Sequence, residues 1–346
     1  MKILITGAAG FIGHHLVEHF LKTSDAHLVL FDKLGYAANG MSRLRDINAF
    51  EQTKNRVDMY AIDISRPISP GVEKEIGSVD YIVHMAAETH VDRSIADPRP
   101  FVESNVVGTM EVLELAKRQG KNLKMMIYMC TDEVFGPCYD GAPPFKEWSR
   151  YNSTNPYSAT KAAAEELCMA WANTYGIPMI VIHAMNNFGE RQHPEKFVPG
   201  VVRKLLRSEL ITIHCDGTKT KAGARSYIHA RNTAAAINFL MTKAGVGNGQ
   251  KLRDKYNIVG EKEVDNLSLV VMIHNIMSET LGRKLDMNVD MVDFHSSRPG
   301  HDLRYSLNGE KLKALGWEPP KTFEDSLRKT VNWMIDPKNM QWMLLD

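Results

Sequence analysis

Gly7-Ala8-Ala9-Gly10-Phe11-Ile12-Gly13 is the stretch that decides how this 346-residue chain folds. A short apolar run, residues 2–6, leads into it and reads as a buried parallel strand. Leu16, Val17 and Phe20 follow with helical periodicity, so the order is strand, glycine loop, helix. Each glycine meets a separate need: a tight turn, close approach of backbone to a pyrophosphate, and close packing of helix on strand. The helix N-terminus then favours anionic phosphates. A second strand, His27 to Phe31, ends in Asp32, 19 positions after Gly13, where a carboxylate can accept from adenosine ribose hydroxyls. A carboxylate there repels a 2′-phosphate, which favours NAD over NADP as cofactor.

The alternation continues outward. Residues 56–61 read as a strand ending at Asp63-Ile64, a place to contact adenine, and 79–85 as a strand entering Ala86-Ala87, small enough for close cofactor approach. Helices are expected at 98–118 and from about Pro156, and strands at 123–129 and 177–184. This predicts an α/β fold: a doubly wound parallel sheet of the Rossmann type over residues 1–185, with 226–258 returning to it. A smaller mixed α/β lobe is expected from 186–225 and 259–346. Thr131, Asp132, Glu133 and Asn187 follow strands, where such folds collect their chemistry. Tyr157 and Lys161, four apart, lie one turn apart on one helix face, and an ammonium there is expected to lower the phenol pKa from about 10.

Composition narrows the classes. A net charge of +1 points to neither nucleic acid nor a membrane surface, and no apolar run is long enough to span a bilayer. Cys130, Cys138, Cys168 and Cys215 are scattered without a CxxC pair, which reads as reduced thiols in a cytoplasmic protein, with no disulfide frame and no metal site.

Gly7–Gly13, Asp32 and the Tyr157/Lys161 pair resemble the extended short-chain dehydrogenase/reductase superfamily. Within it the chain is most similar to nucleotide-sugar 4,6-dehydratases, those acting on dTDP-glucose in particular. The matching stretches are Asp32-Lys33-Leu34, Ala87–Ser94, Thr131–Gly136, Asn186–Gly189, Pro194-Glu195-Lys196 and Arg298–Asp302. The resemblance implies that Tyr157 removes the proton from the sugar 4-hydroxyl, Lys161 assists, and Thr131 holds the 4-oxygen. It casts Asp132 as the acid and Glu133 as the base that expel water across C5–C6. It places Phe11, Ile12, Lys33, Leu34, Ser104 and Asn187 at the cofactor beside the residues already named. Thr89, Asn186, Lys196, Phe197, Arg225, Asn257, Arg298 and His301 are placed at the nucleotide sugar.

Asp132 separates this chain from decarboxylases of UDP-glucuronate and dehydratases of GDP-mannose, which usually read Thr-Ser-Glu; 4-epimerases need only the Tyr and Lys. Those activities, and a non-catalytic NAD-bound sensor, are the alternatives. Departures near Lys221–Ala224, at Thr212 and at Ser297 border the expected nucleotide pocket and leave UDP-glucose open beside dTDP-glucose. The helices near 98–118 and 157–175 carry apolar residues on more than one face (Met110 and Leu113; Leu167, Met169 and Trp171), which predicts a homodimer through them.

Overall fold

The computed structural model describes residues 1–51, 55–139, 141–243, 253–293 and 303–344. Arg298 and His301, expected at the substrate, lie outside the described residues, as does Ser297.

The first half alternates β1 (Lys2–Thr6), α1 (Phe11–Thr23), β2 (His27–Asp32), β3 (Val57–Ala61), β4 (Tyr81–His84), α2 (Gly108–Gln119), β5 (Met125–Thr131), α3 (Pro156–Tyr175) and β6 (Met179–Ala184). The second half carries β7 (Asn186–Phe188), α4 (Phe197–Leu206), β8 (Ile211–Cys215), β9 (Ala224–His229), α5 (Ala230–Lys243), β10 (Arg253–Ile258), β11 (Glu263–Asp265), α6 (Asn266–Leu281), β12 (Val289–Asp293) and α7 (Phe323–Ile335). Seven strands form one parallel sheet in the order β3-β2-β1-β4-β5-β6-β10. The strand order reverses between β1 and β4, and ligands of such sheets bind at the crevice this reversal opens. Beyond it lie a three-stranded sheet, β11-β9-β7, and a two-stranded one, β12-β8. β7 and β11 span three residues each, and β9, six residues long, ends in four successive buried positions, so none shows the period-two alternation that marks a strand in sequence.

Each face of the large sheet has its own core. Leu16, Val17 and Phe20 of α1 pack with Ile237, Leu240 and Met241 of α5 over one face. Ala164, Cys168 and Ala172 of α3, with Val112 and Leu115 of α2, cover the other. The smaller lobe closes around Val201, Val202 and Leu205 of α4, Leu269 and Ile273 of α6, and Leu327 and Val331 of α7.

Three local features position the site. Gly13 sits where an added Cβ would lie 2.0 Å from the Gly7 carbonyl oxygen, so α1 approaches β1 as closely as backbone allows. His84, fully buried, bridges Thr6 Oγ1 (2.6 Å) and Thr109 Oγ1 (2.9 Å), tying the ends of β1 and β4 to α2. Asn155 caps α3: its side chain accepts from the Ser158 N–H at 2.8 Å, Ser158 reciprocates, and Pro156 occupies the first turn, fixing where Tyr157 emerges. The helix expected at 98–118 is interrupted by one π-type segment, Val102–Val107, that carries Ser104 and Asn105.

Gly13→Ala is expected to lower unfolding stability by at least about 1–3 kcal/mol, because the contact is with backbone that cannot rotate away. Thermal unfolding of the variant checks this; an unchanged midpoint would show that the loop gives freely.

Candidate active site

An elongated cavity of about 370 Å³ runs along the carboxyl ends of β1, β4 and β5. One end is lined by Gly7, Gly10, Phe11, Ile12, Gly13, Asp32, Lys33 and Ile64, the middle by Ala86, Ala87 and Ser104, and the far end by Thr131, Asp132, Glu133 and Tyr157. Thr89, Asn186, Asn187, Lys196 and Phe197 also line the wall. The glycines form a cradle that side chains would fill: Cβ atoms at Gly7 and Gly10 would come within 2.8 Å and 3.0 Å of neighbouring backbone, and Gly7 has φ +71°. This suits the backbone-lined seat of a dinucleotide. Asp32 is buried there, accepting from the Ala9 N–H at 3.0 Å and the Leu34 N–H at 2.8 Å, with burial raising its pKa. Lys33 reaches across to Glu88 at 2.5 Å.

At the other end Thr131 closes β5. Its hydroxyl donates to Asp132 Oδ1 at 3.0 Å, accepts from the Glu133 N–H at 3.3 Å, and acts to lower the pKa of the Tyr157 phenol beside it. The Asn155 amide donates to Glu133 Oε2 at 3.3 Å, so the residue that starts α3 also holds a carboxylate. Asp132 Oδ2 is buried and has no partner among the described residues. Burial raises Asp132 to about 6; the Arg225 charge and the Thr131 hydrogen bond oppose it. Burial, and then the Asp132 charge, raise Glu133 to about 7. Near neutrality the pair therefore shares one proton. The order makes Glu133 the harder of the two to ionise, opposite to an assignment of Asp132 as the standing acid.

Several expectations meet a different arrangement. The Tyr157 pKa is not lowered in this chain: burial, with Glu133 adding, holds it well above its ordinary value. Lys161 does share its helix face, but the ammonium donates to the Met129 carbonyl at 2.7 Å and lies 4.3 Å over the Tyr128 ring, outside the cavity lining. Asn257 is fully buried and faces away: its amide donates to the Phe145 and Asn308 carbonyls, and its oxygen meets His183. It therefore braces loops rather than lining the cavity. Asp63 lies outside the lining, accepting from Ser65, while Ile62 and Ile64 line it. Leu34 contributes its N–H to Asp32 and not a cavity wall. Arg225 also stands back from the lining, donating to the Ala224 and Leu303 carbonyls, yet its charge acts on both Asp132 and Glu133.

Tyr36 and Arg43, from the segment after β2, and Gln192 and His193, from the loop after β7, also line the cavity; neither segment carries a local motif that marks them. Cys130, Glu165 and His183 bring metal-type ligand atoms within 4.8 Å of one another. Glu165 is already paired there with Lys255 at 2.8 Å and hydrogen-bonded to His183 at 2.9 Å, which makes the group a buried polar network around one ion pair.

With this geometry in hand, the family model described as GDP-mannose 4,6 dehydratase matches residues 4–330. The chain belongs to this family. It is 36% identical over 347 residues to dTDP-glucose 4,6-dehydratase of Haemophilus influenzae, covering 97% of this chain and 98% of that protein. Among solved structures it resembles dTDP-glucose 4,6-dehydratase (DesIV) of Streptomyces venezuelae with NAD and TYD bound: TM-score 0.82, 33% identity, 99% of this chain and 98% of that one. The corresponding enzyme of Bacillus anthracis, in complex with NAD, aligns at TM-score 0.81 and 32% identity over 99% of this chain and 98% of that one.

A carboxyl whose folded pKa is raised stabilises the fold below its ordinary value and loses that contribution as pH rises through the folded one. Asp132, moving from 3.8 to about 6, should therefore cost stability progressively across that interval. Asp132→Asn should gain on the parent by roughly 2–3 kcal/mol between pH 4 and pH 7, at about 1.4 kcal/mol per pK unit. Denaturant unfolding of both proteins at the two pH values is the measurement.

Proposed function

We propose that this protein is an NAD-dependent nucleotide-sugar 4,6-dehydratase, a hydro-lyase converting dTDP-glucose to the 4-keto-6-deoxy sugar nucleotide and water. The observation that carries the reading is one cavity that holds Thr131, Asp132, Glu133 and Tyr157 at the end of a dinucleotide cradle, with the Thr131 hydroxyl tying the two acidic residues together. Bound NAD supplies the acceptor for the C4 hydride and the donor that returns it to C6. Tyr157 takes the 4-hydroxyl proton while Thr131 holds the 4-oxygen, and Lys161, one turn on in the same helix, adds a positive charge from outside the cavity lining. The resulting ketone acidifies the C5 proton. One carboxylate of the Asp132/Glu133 pair removes it, and the partner carboxylic acid protonates the departing 6-hydroxyl. We assign Glu133 as base and Asp132 as acid; the assignment requires that the one proton the pair shares sit on Asp132 once the sugar is bound. Thr89, Asn186, Lys196 and Phe197 hold the nucleotide sugar, with Arg225 supplying positive potential toward it.

An epimerase has no use for the acid pair, and decarboxylases of UDP-glucuronate usually have serine at the Asp132 position. UDP-glucose is the second reading for substrate, because Thr212 and the 216–223 turn border the nucleotide lobe. The four buried thiols, none in a disulfide, support a cytoplasmic setting. No helix among the described residues is long and apolar enough to cross a membrane.

Incubation with dTDP-glucose should yield a 4-keto-6-deoxy product, seen by its alkaline absorbance, with no net NADH; UDP-glucose should react more slowly. Isomerised sugar would mean epimerase, and no reaction with any nucleotide sugar would mean a sensor. Asp132→Asn should slow water loss by about 10²- to 10⁴-fold with NAD occupancy kept. The rate should follow a bell in pH with limbs near the values about 6 and about 7 of the pair: below them no base remains, above them no acid.

The protein pairs with a second copy through α2, α3 and the turn before them. Leu113 and Met169 do not support this, since their own chain covers them, at 0% and 7% exposure. The support is the outward row that remains: Val102 at 45% exposure, with Met110, Leu167 and Trp171 half-buried. Sedimentation should give a dimer, and Met110→Glu with Leu167→Glu a monomer; a parent that sediments as a monomer would refute the pairing.

A further inference from the structure

Arg43 belongs to no motif, yet its side chain is fully buried and lines the glycine end of the cavity. Three of its bonds are to carbonyls: Nε to Arg191 at 2.9 Å, and Nη1 to Ala37 at 2.5 Å and Ala9 at 3.4 Å. It thereby joins the glycine loop, the loop after β2 and the 190s loop. Nη2 is buried and has no partner among the described residues. Burial lowers its pKa to about 10, so it remains a cation at neutral pH.

The neighbourhood is short of negative charge. Asp32 is the carboxylate acting favourably on Arg43, and both its oxygens are already bonded to the Ala9 and Leu34 N–H groups. Arg191 opposes Arg43 and is itself paired with Asp46 at 2.5 Å. The Arg43 and Arg191 guanidiniums lie 5.8 Å from the Trp342 ring and 5.3 Å from the Trp333 ring, respectively. His14, between them and the glycine loop, is held neutral by burial and by these two arginines. A buried cation with a donor to spare, lacking a carboxylate of its own, is costly unless an anion completes it.

We propose that Arg43 is a dinucleotide-binding residue whose free Nη2 donates to the adenosine-side phosphate of the NAD diphosphate. The proposal rests on the NAD reading above. It makes the cofactor's anion the missing partner of the guanidinium, beside the backbone N–H groups of the glycine turn.

The test separates phosphate recognition from bracing. Full-length protein stripped of cofactor is titrated with ADP and with adenosine, for the parent, Arg43→Met and Arg43→Lys. Arg43→Met should weaken ADP by about 10- to 100-fold and adenosine by no more than about twofold. Arg43→Lys, which keeps the charge and the volume but loses the planar fork, should fall between and carries the test if the Met variant does not fold. Parallel loss of both ligands in the Lys variant would make Arg43 a brace only, and unchanged ADP affinity would remove it from the site; either overturns the proposal. A parent that binds neither ligand would instead sink the cofactor reading, and this proposal with it.

Discussion

The Thr131 hydroxyl is the point on which the site turns. A hydroxyl can donate once and accept twice, and Thr131 donates to Asp132, accepts from the Glu133 N–H, and lies beside the Tyr157 phenol, whose pKa it acts to lower. Because Thr131 is the last residue of a buried parallel strand, its direction is set by the sheet and not by the loop that follows. The acid pair and the tyrosine therefore keep their spacing as a consequence of strand register. A change of protonation on Asp132 alters the Thr131 hydroxyl that also accepts from the Glu133 N–H.

That register depends in turn on how tightly the layers close. The Gly13–Gly7 contact brings α1 onto β1, and His84 links β1, β4 and α2 through two threonine hydroxyls. On the other side, Glu165 continues the Tyr157–Lys161 stripe by one more turn and is clamped by His183 and Lys255. Phe135, from the turn that holds Asp132 and Glu133, packs edge-on against His183 at 4.8 Å. The tyrosine helix and the carboxylate turn thus share one buried anchor.

Much of this was legible in the residues, and the division has a physical basis. The glycine spacing, Asp32 and the Asn155–Pro156 helix start are local: each acts on backbone within a few positions, so sequence alone states them. Strands β1 to β6 were read for the same reason, as apolar runs. Arg43, and Gln192 with His193, reach the cavity from two separate segments whose convergence is a property of topology, and nothing in their neighbours announces it. Asn257 matched a substrate pattern, yet its strand turns the amide toward Phe145 and Asn308. The tyrosine was misjudged because helical spacing reports that Lys161 is one turn away, not that its ammonium is engaged by the Met129 carbonyl.

The return of β10 to the large sheet has a further meaning for how the molecule is assembled. β10 pairs in parallel with β6 from Arg253 to Ile258, after the chain has passed through β7, β8 and β9, which belong to the two small sheets. A nascent chain that has emerged only as far as β6 presents that strand as an open edge, with a row of unsatisfied amides and carbonyls. The nucleotide-binding half thus waits for a segment made some seventy residues later before its border is sealed. Synthesis order and the folding order of this sheet are out of step, and whatever shields β6 in that interval governs how much chain reaches the native state.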